Sequence, residues 1–174
     1  MMHTRRLIAV AVPLLILLAL STSALANGGS RSFSARLKGF EEVPAVNSAG
    51  TGSFTATVNG SGTSISYQLT YSGLNSAASF AHIHFGQRNV NGAVVAFLCG
   101  GGGKPACPAS GTVTGTIVSS DILAVPSQGI AAGDIATVVK IMRVGLAYAN
   151  VHSATSPGGE IRGQIGGGGD DDDD

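Results

Sequence analysis

Alternation of apolar and polar residues is the feature that most restricts the fold of this chain. Three segments place apolar side chains at every second position: Phe33, Ala35 and Leu37; Phe54, Ala56 and Val58; and Ile65, Tyr67, Leu69 and Tyr71. A repeat of two residues is typical of a β-strand that buries one face. Residues 59–62, Asn-Gly-Ser-Gly, favour the positive φ angles of a hairpin turn. The pattern therefore predicts antiparallel strands, with a hairpin between the second and the third.

Five further strands and one helix complete the predicted fold. The strands are predicted at residues 80–85, 93–99, 112–118, 147–152 and 160–165. Asp134 can cap a helix that Gly145 can end, and one face of that helix is apolar: Ile135, Val138, Val139 and Met142. Residues 120–123 could add a single turn before Pro126. We predict a mostly β fold, an antiparallel β-sandwich or Greek-key barrel with one short helix before the last two strands.

Residues 1–26 have the composition of a secretory signal peptide. Arg5 and Arg6 precede an apolar run, and Ala24-Leu25-Ala26 suits a signal peptidase. The run is interrupted by Pro13 and is shorter than the roughly 20 residues that span a bilayer, so we expect no stable membrane span after cleavage. The paired arginines also resemble a twin-arginine signal, which leaves Sec and twin-arginine export open. The protein is predicted to be exported, whether secreted, periplasmic or at the cell surface.

Charge is sparse in the remaining chain. Residues 33–165 form the predicted domain, and residues 166–174 form a Gly/Asp tail that should be flexible. Five of the ten acidic residues lie in that tail. The basic residues are scattered rather than clustered with aromatic residues, which argues against a nucleic-acid partner.

Two cysteines, Cys99 and Cys107, enclose a glycine-rich segment. In an oxidising compartment they should form a disulfide, which stabilises a ring of this size by about 2 to 3 kcal/mol. The alternative is a pair of thiolate ligands to a metal ion.

Three histidines remain after the predicted signal peptide is removed. His82 and His84 are two residues apart in a predicted strand, so their imidazoles should lie on one face. His152 lies in another predicted strand and could add a third ligand. Three imidazoles with an open position suit copper first and zinc second. The alternative is a hydrogen-bonded histidine pair that binds no metal.

Glu160 and Arg162 share a face of the last predicted strand. They could form a structural ion pair, or Glu160 could accept a hydrogen bond from a ligand histidine. The chain has no Gly-x-Ser-x-Gly elbow and no nucleotide-binding loop, which argues against classical hydrolase and kinase chemistry. We therefore assign no catalytic residues from the sequence.

Five segments together resemble the chordin-type (CHRD) domain family. They are residues 37–44 (LKGFEEVP), 81–84 (AHIH), 91–95 (NGAVV), 148–152 (YANVH) and 159–165 (GEIRGQI). The resemblance covers residues 33–165 and implies an exported domain, since the family includes exported bacterial proteins and the repeats of the extracellular antagonist chordin. Ser153 stands where the family usually has Thr, and Ala45 where a second Pro is common.

The histidine pattern also has a looser similarity to copper/zinc superoxide dismutase. There a His-x-His strand pair and a later Val-His supply copper ligands on a Greek-key barrel, as His82, His84 and Val151-His152 would here. This similarity implies copper, although the bridging histidine and the zinc ligands have no counterpart.

Three functions follow from these patterns and resemblances. The first is an exported domain that binds a copper-type ion in an extracytoplasmic role. The second is a structural or protein-interaction module without metal, which recruits a protein partner or self-associates through strand edges. The third is a copper redox enzyme resembling superoxide dismutase.

Overall fold

The computed structural model describes residues 31–167. The predicted signal peptide and residues 168–174 lie outside the described residues. The strands are β1 (Ser32–Lys38), β2 (Thr51–Val58), β3 (Ser64–Ser72), β4 (Ala78–Phe85), β5 (Ala93–Cys99), β6 (Gly111–Val118), β7 (Ala147–Ser153) and β8 (Ile161–Gly167). One α-helix, α1 (Ile135–Arg143), precedes β7 and β8. Short 3₁₀ turns occupy Gly39–Glu41, Ser119–Asp121 and Pro126–Gln128.

The strands form one antiparallel sheet in the order β5-β4-β7-β8-β1-β2-β3-β6. The sheet curls into a nearly closed barrel, with β5 and β6 as its two edges. This architecture confirms the predicted mostly β, antiparallel fold with one helix before the last two strands. The predicted hairpin joins β2 to β3, and Gly62 has the positive φ of 74° that such a turn requires.

Strand register places the alternating apolar residues on one side of the sheet. Phe54 of β2 lies opposite Ala35 of β1 and Leu69 of β3. All three are buried in the main apolar cluster, together with Ile83 of β4 and Val151 of β7. A fully buried Leu, Ile or Phe side chain contributes about 1.5 to 3 kcal/mol, so this cluster supplies much of the stability of the barrel.

Helix α1 begins and ends where the sequence predicts. The Asp134 carboxylate accepts a hydrogen bond from the backbone N–H of Thr137 at 3.0 Å, which satisfies one unpaired donor of the first turn. The predicted apolar face is buried: Ile135, Val138, Val139 and Met142. Gly145 follows the helix with a φ of 67°. Within residues 31–167, no helix has the length and apolarity to cross a membrane.

The gap between β5 and β6 is bridged by side chains. Gly115 of β6 lies opposite Tyr67 of β3, and a Cβ at Gly115 would lie 2.4 Å from the tyrosine hydroxyl. The absence of a side chain lets the Tyr67 ring pass over β6 and donate a hydrogen bond to Leu98 O of β5 at 2.6 Å. Lys104 also donates to Thr116 O of β6 at 2.8 Å. The two edges are therefore joined without a continuous backbone ladder between them.

The predicted disulfide between Cys99 and Cys107 is present. It ties the end of β5 to the segment that leads into β6. Tyr71 of β3 donates a hydrogen bond to Pro108 O in the same segment at 2.6 Å. The disulfide thus reinforces the seam of the barrel, the junction between the edge strands β5 and β6 that Tyr67 bridges.

β8 continues beyond the predicted end of the domain at residue 165. Gly166 pairs with Ser34 and Gly167 with Phe33 of β1. The first two residues of the segment assigned to the tail therefore belong to the sheet.

Replacing Tyr67 with Phe should lower the free energy of unfolding by about 1 to 3 kcal/mol, because the buried Leu98 carbonyl would lose its hydrogen-bond partner. Urea unfolding monitored by circular dichroism measures the change. Thr114→Val, which removes an exposed hydroxyl from β6, is the matched control and should leave stability nearly unchanged. Equal stability of Tyr67→Phe and the wild type would show that this bond does not hold the seam.

Candidate metal centre

β4, β7 and β8 lie side by side and are covered on both faces. Their inner face is apolar and joins the barrel core. Their outer face carries polar and aromatic side chains: His82, His84, Tyr148, Asn150, His152, Arg162 and Gln164. Three loops, residues 39–50, 86–92 and 154–160, contact this outer face through hydrogen bonds. The candidate site is therefore enclosed between sheet and loops, outside the barrel core.

The structure brings the three predicted histidines together. In the β4–β7 register His84 lies opposite Tyr148, and His82 lies opposite Asn150. His152 occupies the next outward position along β7, so it is the diagonal neighbour of His82. His82 Nδ1 is 3.0 Å from His152 Nε2, and one ring nitrogen from each of the three residues lies within 4.8 Å of the others. All three side chains are buried.

Backbone carbonyls fix the tautomers of two of these rings. His84 Nδ1 donates to Gly92 O at 3.1 Å, and His152 Nδ1 donates to Pro157 O at 2.9 Å. Since a carbonyl oxygen can only accept, both rings carry their proton on Nδ1 and keep a lone pair on Nε2. His152 Nε2 then accepts from His82 Nδ1. His84 Nε2 is buried and has no hydrogen-bond partner among the described residues.

Burial keeps the three imidazoles neutral. It lowers the pKa of His82 to about 3, with further lowering from His152 and His84. It lowers the pKa of His84 to about 4, against the raising effect of the bond to Gly92. The pKa of His152 is also lowered by burial. Neutral imidazole is the form that coordinates metal ions, so the rings are ready to act as ligands near neutral pH.

Aromatic contacts hold the imidazole planes in position. His82 meets the ring of Phe97 edge-on, with centroids 4.5 Å apart. His84 stacks on Tyr148 at 4.6 Å with an angle of 6° between the rings. The Arg162 guanidinium carbon lies 3.4 Å from the centroid of Tyr148. Because β7 lies between β4 and β8, Tyr148 is packed between the histidine and the guanidinium.

Glu160 and Arg162, considered as a pair from the sequence, have separate partners. Glu160 accepts hydrogen bonds from the hydroxyls of Ser48 and Ser153 and from Asn75 N–H. Burial alone would raise its pKa, but these three donors hold it below the usual value. Glu160 thereby anchors residues 48 and 75 to the end of β7, whereas the groups that orient the histidines are backbone carbonyls.

Arg162 instead anchors the loop of residues 86–92. It donates to the backbone carbonyls of Gln87 at 3.1 Å and Val90 at 2.9 Å, and to Asn91 Oδ1 at 3.3 Å. Gly92, whose carbonyl accepts from His84, ends the same loop. Arg162 therefore supports the orientation of His84 through the loop as well as through Tyr148.

Glu42 contacts the outer face beside the histidines, although the sequence analysis does not identify it as a site residue. Its Oε1 accepts a hydrogen bond from Asn150 Nδ2 at 2.5 Å. Burial raises the pKa of Glu42 to about 7, against the lowering effects of Arg162 and of the Asn150 bond. Its position within the segment 37–44, in a chain with few acids, was the available signal. No periodicity could place that loop residue against β7.

Comparison with known protein families gives a match over most of the described residues. The CHRD domain matches residues 33–165, which run from β1 into β8. The chain belongs to the CHRD family. The match confirms the resemblance found in the sequence and includes all three histidines of the CHRD domain. No curated protein and no solved structure matches the chain significantly.

The buried histidines should make the metal-free domain less stable as pH falls from about 6.5 to 4.5. Each imidazole takes up a proton near pH 6.5 when unfolded but only at a lower pH when folded, so the unfolded state binds more protons in this window. Glu42 acts oppositely, because its folded state keeps a proton up to about pH 7. The stability that Glu42 gains on acidification should not offset the stability lost through the three imidazoles.

Chemical denaturation in the presence of a chelator, repeated across this pH range, measures the effect. The midpoint should fall with pH in the wild type and vary less in His82→Gln/His84→Gln, which lacks two of the three titrating groups. A wild-type midpoint that rises on acidification would contradict the expectation.

Proposed function

We propose that this CHRD domain binds one copper-type metal ion through His82, His84 and His152, in an extracytoplasmic binding role. The observation that carries the proposal is His84 Nε2, a buried lone pair without a donor among the described residues, on one of three imidazoles that each place a ring nitrogen within 4.8 Å of the others. An unsatisfied buried acceptor costs about 1 to 3 kcal/mol. A coordinated cation would remove that cost.

The donor set is that of a metal centre with an open position. Three neutral imidazoles suit copper and zinc, and the general order of divalent affinities places copper above zinc. Binding requires a rearrangement of this pair, because His152 Nε2 accepts a hydrogen bond from His82 Nδ1–H. Loss of that hydrogen bond would free the lone pair of His152 Nε2, and a shift of the His82 proton from Nδ1 to Nε2 would give His82 Nδ1 a lone pair for coordination. The bonds from Nδ1 of His84 and His152 to backbone carbonyls can remain and orient the rings.

The extracytoplasmic part of the proposal is supported by the disulfide. Cys99–Cys107 is of the kind that persists in oxidising compartments and is rare in the cytosol. The predicted signal peptide at residues 1–26 also supports an extracytoplasmic location.

A second candidate function is a structural module without metal. The hydrogen bond between His82 and His152 at 3.0 Å favours it, because this contact already satisfies two ring nitrogens. In that case His152→Ala should lower the free energy of unfolding by about 1 to 3 kcal/mol, and copper should leave the stability of the wild type unchanged. Thermal unfolding with and without Cu(II) measures both effects.

Isothermal titration of Cu(II) into the purified protein tests the proposed metal site. We expect one ion per chain, and at least a tenfold loss of affinity in His82→Ala, His84→Ala and His152→Ala. Electron paramagnetic resonance of the copper complex should show nitrogen ligands. Zn(II), titrated in parallel, should bind more weakly.

Gln164→Ala is the matched control for these variants. Gln164 lies on the same outer face and donates to Gly86 O and Gly145 O, so its removal perturbs the loops while leaving the imidazoles intact. Its copper affinity should stay close to that of the wild type. Equal copper affinity in the wild type and in His82→Ala/His84→Ala would remove the site.

A further inference from the structure

The proposed metal centre offers only uncharged ligands. Within residues 31–167 the cluster that could hold an ion consists of His82, His84 and His152, and it contains no aspartate, glutamate or cysteine. Imidazole coordinates metal ions in its neutral form. A bound ion would therefore keep its full charge, because no ligand from the described chain neutralises it.

Aromatic rings and backbone limit the access of water to this cluster. The three histidines are only 7% to 9% exposed. His82 packs edge-on against Phe97, and His84 stacks on Tyr148. Gly101 and Gly102 lie directly on the Phe97 ring, where a Cβ would come within 2.5 and 2.7 Å of a ring carbon. The cost of moving an ion from water into such surroundings rises with the square of its charge.

A fixed positive charge lies beside the cluster. The Arg162 guanidinium carbon is 3.4 Å from the centroid of the Tyr148 ring, on which His84 also stacks. The guanidinium is buried, and the carbonyls of Gln87 and Val90 accept its hydrogen bonds without neutralising its charge. An ion bound to His84 would therefore lie one tyrosine ring away from a permanent cation.

The two buried acids of this region do not supply a charged ligand. Glu42 bonds to Asn150, and burial raises its pKa to about 7, so near neutral pH it offsets only part of the Arg162 charge. Glu160 is hydrogen-bonded to two serine hydroxyls and a backbone N–H rather than to a histidine. The charge of the ion itself therefore remains uncompensated at the cluster.

We propose that the centre binds copper preferentially as Cu(I). This inference rests on the proposed function, because it requires that the three histidines bind copper. Cu(I) carries one charge instead of two, so it loses less on transfer from water into an uncharged, buried donor set beside a fixed cation.

The number of ligands favours the same ion. Cu(II) is typical of square-planar or tetragonal sites. An ion with a filled d shell, such as Cu(I) or Zn(II), has no geometric preference from its d electrons. The cluster supplies three imidazoles, so any further ligand would have to be water, whose access is limited by burial. Zn(II) shares the filled shell but carries the double charge, so it should also bind less tightly than Cu(I).

Competition titrations of the wild-type protein test the preference. Cu(I), supplied as its acetonitrile complex without oxygen, is titrated against bathocuproine disulfonate, and Cu(II) is titrated against nitrilotriacetate. We expect a dissociation constant at least about tenfold lower for Cu(I) than for Cu(II). A tenfold difference corresponds to a reduction potential about 59 mV above that of the aqueous copper couple, which voltammetry of the bound copper measures independently.

The outcomes separate the preference for Cu(I) from the proposed function. Equal dissociation constants, or tighter binding of Cu(II), would overturn the preference and leave the three-histidine copper site intact. Absence of binding of both ions would overturn the copper site itself. The comparison needs no variant, so it holds even if a substitution in this buried region prevents folding.

Arg162→Met and Arg162→Lys test the contribution of the fixed positive charge. Both lose the guanidinium bonds to Gln87 and Val90, but lysine keeps a charge. We expect the ratio of Cu(I) to Cu(II) affinity to be at least about threefold lower in Arg162→Met than in Arg162→Lys, because the divalent ion gains most from removal of the charge.

Arg36→Met is the matched control for these variants. Arg36 is exposed on β1, which is not hydrogen-bonded to β4 or β7, so its removal should leave the affinity ratio unchanged. Equal ratios in the two Arg162 variants would show that the guanidinium does not contribute to the preference.

Discussion

Every residue of β7 is buried, because the strand has the barrel core on one face and three loops on the other. A strand buried on both faces normally carries apolar residues throughout, whereas β7 has Tyr148, Asn150 and His152 on its outer face. Buried polar groups must find partners close at hand. The arrangement of β4, β8 and the covering loops follows from this requirement.

Satisfying these polar groups also sets the properties of the candidate centre. His84 and His152 are held by loop carbonyls, and those loops are held by Arg162, Glu160 and the hydroxyls around them. Burial that would be costly for charged imidazoles keeps them neutral and able to coordinate a metal. The requirement that encloses the site therefore also prepares its chemistry. Among the described residues three buried polar atoms of this face still lack a partner, His84 Nε2, Asn150 Oδ1 and Gln164 Oε1, and His84 Nε2 is the imidazole nitrogen among them.

Most of the fold could be predicted from the sequence because it depends on local patterns. Alternation located the strands, Asp134 and Gly145 bounded the helix, and two nearby cysteines indicated the disulfide. The seam could not be predicted in this way. It depends on Tyr67 passing over Gly115 to reach Leu98, a contact between strands far apart in the chain. A glycine in a strand does not by itself reveal which ring will cover it.

The sequence by itself determined that His82 and His84 share a face, since that follows from strand geometry alone. It also determined the CHRD family, because the motifs occur in order along residues 33–165. Only the tertiary structure decided that His152 reaches them, because this depends on β7 pairing with β4 across 70 residues of chain. It likewise decided the place of Glu42, since a loop residue has no periodicity and its burial depends on how the loop folds over β7.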